Sequence, residues 1–292
     1  MPTIIKKVNS WFFVSDLHGQ VARYKKLFQV IREERPAVLL LGGDLLPNAG
    51  SAYRGLSDGD FIADILQLGF TGLKEGMKEH YPRVFLILGN DDPRAEEGKL
   101  EQGERMGLWQ YLHMRQLEFE GYSIYGYACV PPTPFLLKDW ERYDVSRYVD
   151  PGCISPEEGW RTVEVPAHKL RHATIQSELE ELTQQADLEQ AIFLFHAPPY
   201  QTNLDRADLD GRLVEGVQVD THVGSMAIRR FIQARQPRIT LHGHVHESAR
   251  LMGSWREKIG RTHLFSAAHD GEELALVRFD PENPADATRE LI

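Results

Sequence analysis

Apolar residues in this chain come in short runs, and several of the runs stop at a word of metal-binding residues. Trp11 to Ser15 reads as a strand and stops at Asp16-Leu17-His18. Ala37 to Leu41 reads as a buried strand that breaks at Gly42-Gly43, followed by Asp44. Val84 to Leu88 is a third buried run and ends at Gly89-Asn90. Ala191 to Phe195 leads into His196, and Ile239 to Leu241 ends in His242, directly before Gly243-His244-Val245-His246. Between the first two runs, Gln20 to Glu34 places Val21, Tyr24, Leu27, Phe28 and Ile31 on one helical face, and Pro36 ends it. Gly59 to Tyr81 is mostly helical in pattern, with glycines at 69, 72 and 76. Strand alternating with helix predicts an α/β fold with right-handed crossovers and ligands at the carboxyl ends of strands.

The middle of the chain changes character. Leu117 to Tyr127 predicts two short antiparallel strands around Gly121. Residues 128 to 167 are rich in Pro, Gly, Trp and Tyr, too apolar for a disordered linker; they read as an ordered insertion packed on the core, of the kind that forms a lid. His168 to Gln185 predicts one helix with an acidic end, and residues 200 to 223 a polar loop. Ser225 is placed to cap a helix over Met226 to Arg235. Residues 262 to 279 predict two closing strands around the turn Asp270-Gly271. No repeat or boundary interrupts this order, so residues 1 to 292 are expected to form a single domain with the insertion at about 128 to 167.

Composition narrows the function. A formal net charge of -10 argues against a broad grip on extended nucleic acid or an anionic membrane. It leaves room for a small phosphate-bearing substrate, because bound cations reverse the sign locally. The two cysteines, Cys129 and Cys153, match neither a redox pair nor a zinc word; two free thiols is the simpler reading, with a disulfide between them left open. The first ten residues carry Lys6, Lys7 and Asn9 and no long apolar stretch, and no run reaches membrane-spanning length. A cytoplasmic protein is expected.

The strand-end words carry the chemistry. Asp16 and His18 lie two apart and point the same way on a regular strand, and a turn at Gly19 lets both reach one ion. Asp44 follows a Gly-Gly break, where a carboxylate can approach closely enough to bridge two ions. Asn90 offers an amide oxygen, and His196 sits before the stiff Ala197-Pro198-Pro199. His244 and His246 can face different ions. Three oxygen donors and four imidazoles suit two divalent transition metals (Mn, Fe, Zn, Co or Ni) over Ca. Two such ions about 3.5–4 Å apart clamp a phosphate for in-line attack by water. Any one of these words is weak evidence; the ordered set, with each member closing an apolar run, is strong.

The order DLHG, GGD, GND, HAPP, GHVH resembles the calcineurin-like metallophosphoesterases over most of the chain, from Asp16 to about Phe279. The resemblance implies two packed mixed β-sheets flanked by helices. It further implies one metal held by Asp16, His18 and His246, another held by Asn90, His196 and His244, and Asp44 bridging them. Two positions depart from the family pattern. Many members have GNH, whose His protonates the leaving group and contacts phosphate, where this chain has Asp91. Many also have a carboxylate three residues after the bridging Asp; in one branch it orients that His, and here the position is Pro47. Both halves of the dyad are replaced together.

A carboxylate beside two cations is held ionised and is a poor proton donor. It also repels a dianionic phosphomonoester more than a monoanionic diester. The expectation is therefore a metal-dependent phosphodiesterase acting on a small or nucleotide-like substrate, with Asn90 and Asp91 at the phosphate. The alternative is a catalytically weak or inactive member of the fold serving as a binding scaffold; a nuclease is disfavoured by the acidic charge. His222, in a loop that similar proteins place near the metals, is the other candidate acid or substrate residue, with a surface or capping role the favoured reading. His242 reads as a support behind the ligands, His113 and His269 as structural or surface residues, and Asp92 as a turn cap. Arg206, Asp205 and Asp210 read as substrate contacts or as solvated loop. The insertion's aromatics serve either base stacking or ordinary packing, the latter favoured.

Overall fold

The computed structural model describes residues 10–48 and 59–292. Two six-stranded sheets pack face to face, each with a parallel centre; the second has antiparallel strands at both edges, the first at one. In the first, β1 (Trp11–Val14), β2 (Val38–Gly42), β3 (Arg83–Ile87) and β4 (Gln110–Tyr111) run parallel. In the second, β5 (Arg115–Phe119) is an antiparallel edge on β6 (Tyr122–Tyr127), which runs parallel with β7 (Ala191–Phe195). A small hairpin, β8 (Leu213–Val214) with β9 (Val217–Gln218), stands apart. The second sheet continues through β10 (Ile239–His242), parallel to β7, and is closed by β11 (Arg256–Ile259) and β12 (Thr262–Ser266). The first sheet is completed by β13 (Ala275–Phe279), antiparallel to β1, and β14 (Thr288–Leu291).

The central strands are apolar on both faces because both faces are covered, as parallel strands require. β1, β2 and β7 are buried at every position. Between the sheets, Trp11 meets Phe119 and Tyr122 edge-on, at centroid separations of 6.0 and 5.6 Å. Outside the first sheet lie α1 (Val21–Glu34), α2 (Leu68–Met77) and α3 (Glu97–Arg105), sealed by a chain of rings running from Tyr24 through Phe28 and Phe70 to Trp109. Beyond α4 (Ala167–His172), α5 (Ile175–Thr183) packs on α6 (Met226–Arg235), whose Phe231 covers the stacked Phe193 and Phe195 of the second sheet. A short α7 (Ser248–Met252) follows the last histidine word.

Three expectations change in detail. The helix expected over 168 to 185 is two helices, because Thr174 turns extended to bridge Tyr143 and then caps α5, its hydroxyl accepting from the Ser177 amide at 3.0 Å. The strands expected around Asp270-Gly271 do not pair with each other: β12 lies between β10 and β11, and β13 pairs with β1, so this turn carries the chain from one sheet to the other. The polar loop at 200 to 223 contains the β8–β9 hairpin.

The insertion at 128 to 167 is ordered by buried polar bonds more than by regular elements. The Trp140 indole donates to the Asp92 carbonyl at 2.8 Å, and Asp139 accepts from the Arg94 amide at 2.8 Å and the Thr162 amide at 3.0 Å. Lys138 and Glu141 form a fully buried ion pair at 2.5 Å, closed off by the Thr133 amide and carbonyl. The Asp144 carboxylate, accepting from the Met226 amide at 2.7 Å, ties the insertion to the start of α6.

Candidate metal centre

The parallel strands bring five chain turns to one edge of the two sheets. β1, β2 and β3 deliver Asp16, Asp44 and Asn90; β7 and β10 deliver His196 and the pair His244 and His246. Each turn bends sharply. Asp16, His18, Asp44 and His244 hold φ values of 57°, 47°, 50° and 72°, a left-handed region that non-glycine residues enter at a cost of about 1–3 kcal/mol each. Their concentration among the ligand candidates marks a place where geometry outranks local comfort. Interlocking amides hold the bends: Asp16 donates to the Gly43 carbonyl at 3.0 Å, His18 to the Asp44 carbonyl at 2.8 Å, and His244 to the Asp16 carboxylate at 3.0 Å. Gly89 and Gly243 are needed for close approach, since a Cβ at either position would strike the Asp44 or Asp16 carboxylate.

The seven side chains fall into two groups that share Asp44. Ligand atoms of Asp16, His18, Asp44 and His246 lie within 4.8 Å of one another, as do those of Asp44, His196 and His244. The Asn90 amide oxygen joins the second group, 3.1 Å from His196 Nε2. His18 Nε2 and His246 Nε2 face each other at 3.0 Å, and His246 Nε2 is 3.2 Å from Asp16 Oδ1. His196 Nε2 sits 3.2 Å from Asp44 Oδ2, while its Nδ1 bonds the Gly42 carbonyl at 2.8 Å. Asp16 Oδ2 is buried with no hydrogen-bond partner. Nitrogens aimed at nitrogens, and a buried carboxylate oxygen with no donor, are costly unless a cation or shared proton lies among them. The donor set therefore fits two adjacent divalent metals, with nitrogen and oxygen on each.

Electrostatics agree with this arrangement. With only the protein's own groups acting, burial opposes charge on His196, but Asp44 and then Asp16 push it up to about 10. Burial likewise opposes charge on His246, and the Asp16 bond overrides it, to about 9. Asp44, despite burial, is held down to about 2 by His196 and His18, and Asp16 is held lower still by His246. His244 is pushed down to about 3 by burial and by His196. The carboxylates that raise His196 and His246, Asp44 and Asp16, are the same groups that would face bound cations.

Asp91 stands beside this centre. Its amide donates to Asp44 Oδ1 at 2.9 Å, its Oδ1 accepts from the Asn90 amide group at 2.9 Å, and its Oδ2 is 3.7 Å from His18 Nδ1. Burial and then the Asp44 charge push its carboxyl up to about 6; two cations at this place act in the opposite direction. Pro47, where a carboxylate stands in many relatives by resemblance, lies against Gly19 in a space too close for a Cβ. His222 lies in the loop between β7 and α6, its Nδ1 2.8 Å from the fully buried Asp205 carboxylate. Asp205 also accepts from the amides of Gln201, Thr202 and Gly224, at 2.8, 2.8 and 3.1 Å, so it shapes the loop that carries His222.

His242 is fully buried, bonded to the Ala197 carbonyl and Thr240 hydroxyl at 2.9 and 2.8 Å, and braces the two histidine turns from behind the cleft lining. His113 accepts from the Ala128 amide at 3.1 Å and packs edge-on against Trp140. His269 pairs with Glu273 at 3.1 Å, and Arg206 with Asp210 at 2.6 Å. Two supports carry more weight than their sequence suggested. Asp92 accepts from the amides of Leu45, Leu46 and Gly89, at 3.0, 2.7 and 2.9 Å, and so staples the Asp44 turn to the Asn90 turn. Arg23 ties the Asp16 carbonyl to the Gly271 carbonyl, each at 2.5 Å. A buried carboxylate two residues after Asn90 was the available signal for Asp92; Arg23 gave none, being one polar position on an amphipathic helix.

A cleft of about 760 Å³ opens above the centre, with Asp44, Asn90, Asp91, His244 and His246 at its floor. Its walls come from the insertion, residues 131 to 135 and 144 to 153, and from the loop that bears His222. The insertion is thus a cleft wall as well as packed core. Among the described residues, no helix is long and apolar enough to cross a membrane.

Comparisons with known proteins agree with this geometry. No curated protein matches the sequence. Among solved structures, one chain is 16% identical over 97% of this chain and 98% of its own, with a TM-score of 0.59. The protein TT1561 of Thermus thermophilus is 15% identical over 97% and 99%, with a TM-score of 0.56. A dimetal phosphatase from Danio rerio is 11% identical over 93% and 92%, with a TM-score of 0.50. At these identities the likeness establishes the fold. A family model for calcineurin-like phosphoesterases matches residues 12–248, a span holding all seven clustered side chains, and the chain belongs to that family.

Proposed function

We propose that this chain is a dinuclear metal-dependent hydrolase that prefers phosphodiesters to phosphomonoesters. The observation that carries the reading is the convergence of acceptor atoms on two neighbouring points that share Asp44, with a carboxylate, Asp91, at the position beside them. Asp16, His18, Asp44 and His246 would hold one cation, and Asp44, Asn90, His196 and His244 the other; mixed nitrogen and oxygen donors suit Mn, Fe, Zn, Co or Ni. Bound there, such ions supply Lewis-acid polarisation of the phosphoryl group and activation of water.

The chain's own residues set the preference. Ionised beside the cations, Asp91 adds negative charge near the phosphoryl oxygens, which costs a dianionic monoester more than a monoanionic diester. In that state it has no proton for a leaving group. His222 lines the same cleft, and the Asp205 bond at Nδ1 orients its ring and leaves Nε2 to exchange a proton with the departing oxygen. The Asn90 amide group, bonded to Asp91, sits at the phosphate end. The substrate is a small phosphate ester; a net charge of -10 and acidic cleft walls speak against extended nucleic acid.

The test is turnover of bis(p-nitrophenyl) phosphate and p-nitrophenyl phosphate by the Mn-loaded chain. A diester kcat/KM about tenfold or more above that of the monoester is expected; equal or better monoester turnover contradicts the reading. On a diester with an alkoxide leaving group, which needs a proton as p-nitrophenolate does not, His222→Ala is expected to slow turnover about a hundredfold with metal content unchanged, the scale of one general acid. Unchanged turnover removes His222 from the mechanism.

A further inference from the structure

The cleft walls differ in chemistry from its floor. Above the clustered carboxylates and imidazoles the lining is largely apolar: Pro132, Phe135, Tyr148, Leu209, Val214 and Val219 among others. The apolar character continues onto the rim. Phe135 is 56% exposed and Tyr148 63%, and both line the cleft while reaching its surface. Large apolar side chains grouped on the mouth of a pocket mark a surface kept for a ligand.

Charge in the walls narrows the ligand. Asp144, Asp150, Asp220 and Glu247 line them, and among the described residues Arg212 is the one Lys or Arg side chain in the lining. A second phosphate or a carboxylate on the substrate would meet mainly like charge there. The phosphoryl end is matched at the floor alone, where the proposed cations would sit.

We infer that the substrate is an amphiphilic phosphoester: one phosphoryl group at the floor, joined to an uncharged apolar alkyl or aryl substituent that lies along the insertion and the β8–β9 hairpin. The phosphoryl end of this inference rests on the function proposed above. The apolar end rests on the walls. A nucleoside polyphosphate fits poorly, since its added charges would meet four carboxylates in the walls against the single guanidinium of Arg212 among the described residues.

Isothermal titration of the Mn-loaded chain with dimethyl phosphate and with methyl octyl phosphate, both monoanionic diesters, tests the inference without requiring turnover. Each buried methylene favours binding by about fourfold in the limit of full burial, so even partial burial of the chain gives the methyl octyl ester an affinity about thirtyfold or more above that of the dimethyl ester. Phe135→Ser with Tyr148→Ser changes two exposed side chains, leaves the core intact, and is expected to reduce that ratio to about fivefold or less. A ratio below about threefold in the parent protein overturns the inference, as does tighter binding of a nucleoside diphosphate than of methyl octyl phosphate, or binding of neither dialkyl phosphate to metal-loaded protein. The two proposals separate cleanly. Diester turnover with a flat alkyl series sinks only the amphiphile; the full ratio without turnover of any diester sinks only the hydrolase.

Discussion

Replacing Asp92 with Ala tests whether the metal-binding turns are held by one buried carboxylate. Asp92 is fully buried, and its two oxygens accept from three backbone amides, those of Leu45, Leu46 and Gly89, at 3.0, 2.7 and 2.9 Å. Truncation leaves three buried N–H groups with no acceptor. Each such group costs about 1–3 kcal/mol, and partial entry of water into the vacated space keeps the total near about 3–6 kcal/mol. For a chain of this size each kcal/mol lowers Tm by about 2 °C, so a fall on the order of 10 °C is expected. Asp92→Asn, which keeps one acceptor oxygen, should fall between the two. The loss should also appear in function, because Leu45 follows Asp44 and Gly89 precedes Asn90: metal affinity should drop together with stability. Urea unfolding at fixed metal concentration, with metal content measured on the same samples, gives both numbers. If Asp92→Ala unfolds within about 1 kcal/mol of the parent, the staple has been misjudged and the turns are held by their other bonds.

Metal uptake by chelator-treated protein at pH 7 should release close to two protons, from His196 and His246, whose pKa values are raised to about 10 and about 9; calorimetry in two buffers of different ionisation enthalpy reads this, and release below about half a proton contradicts the assignment. The sign for folding follows: both folded values lie above the unfolded imidazole near about 6.5, so the metal-free protein holds this stabilisation fully below that pH and loses it as pH rises through about 9 to 10. Gly89→Ala should fold poorly or lose metal, because a Cβ there meets both the Asp44 carboxylate and the Asp44 amide; full metal occupancy in a stable Gly89→Ala protein would refute the close approach. Lys138→Met leaves Glu141 buried without its partner and should cost about 3–5 kcal/mol in urea unfolding, whereas the same change at an exposed pair such as Arg105 with Glu101 should be near neutral.

The strands that build the centre were legible because each is buried on both faces and therefore reads as a continuous apolar run closed by a polar word. Asp16, Asp44, Asn90, His196, His244 and His246 all sit at such closures, and their order along the chain matches the order of the parallel strands. What the sequence concealed lies at sheet edges and in long-range polar contacts. β11 and β14 alternate or are exposed and short, so their periodicity is weak, and their identity comes from partners distant in the chain. β12 and β13 looked like a hairpin because local sequence records a turn, while the choice of sheet is made by β10 and β1. The insertion gave no helical or strand pattern because polar bonds hold it: a local buried cluster of Thr133, Lys138 and Glu141, and Asp139 and Asp144, which bond to groups that only the fold brings near. The left-handed backbone at Asp16, His18, Asp44 and His244 was not legible for another reason: Asp and His enter that region more readily than most side chains, but only the surrounding turns decide which of them do.

The central claim, that one centre of seven side chains holds two cations, is tested most directly by elemental analysis of the Mn-reconstituted chain beside His246→Ala. Two metal ions per chain in the parent and about one in the variant are the expected result. Fewer than one ion per chain in the correctly folded parent would contradict the account.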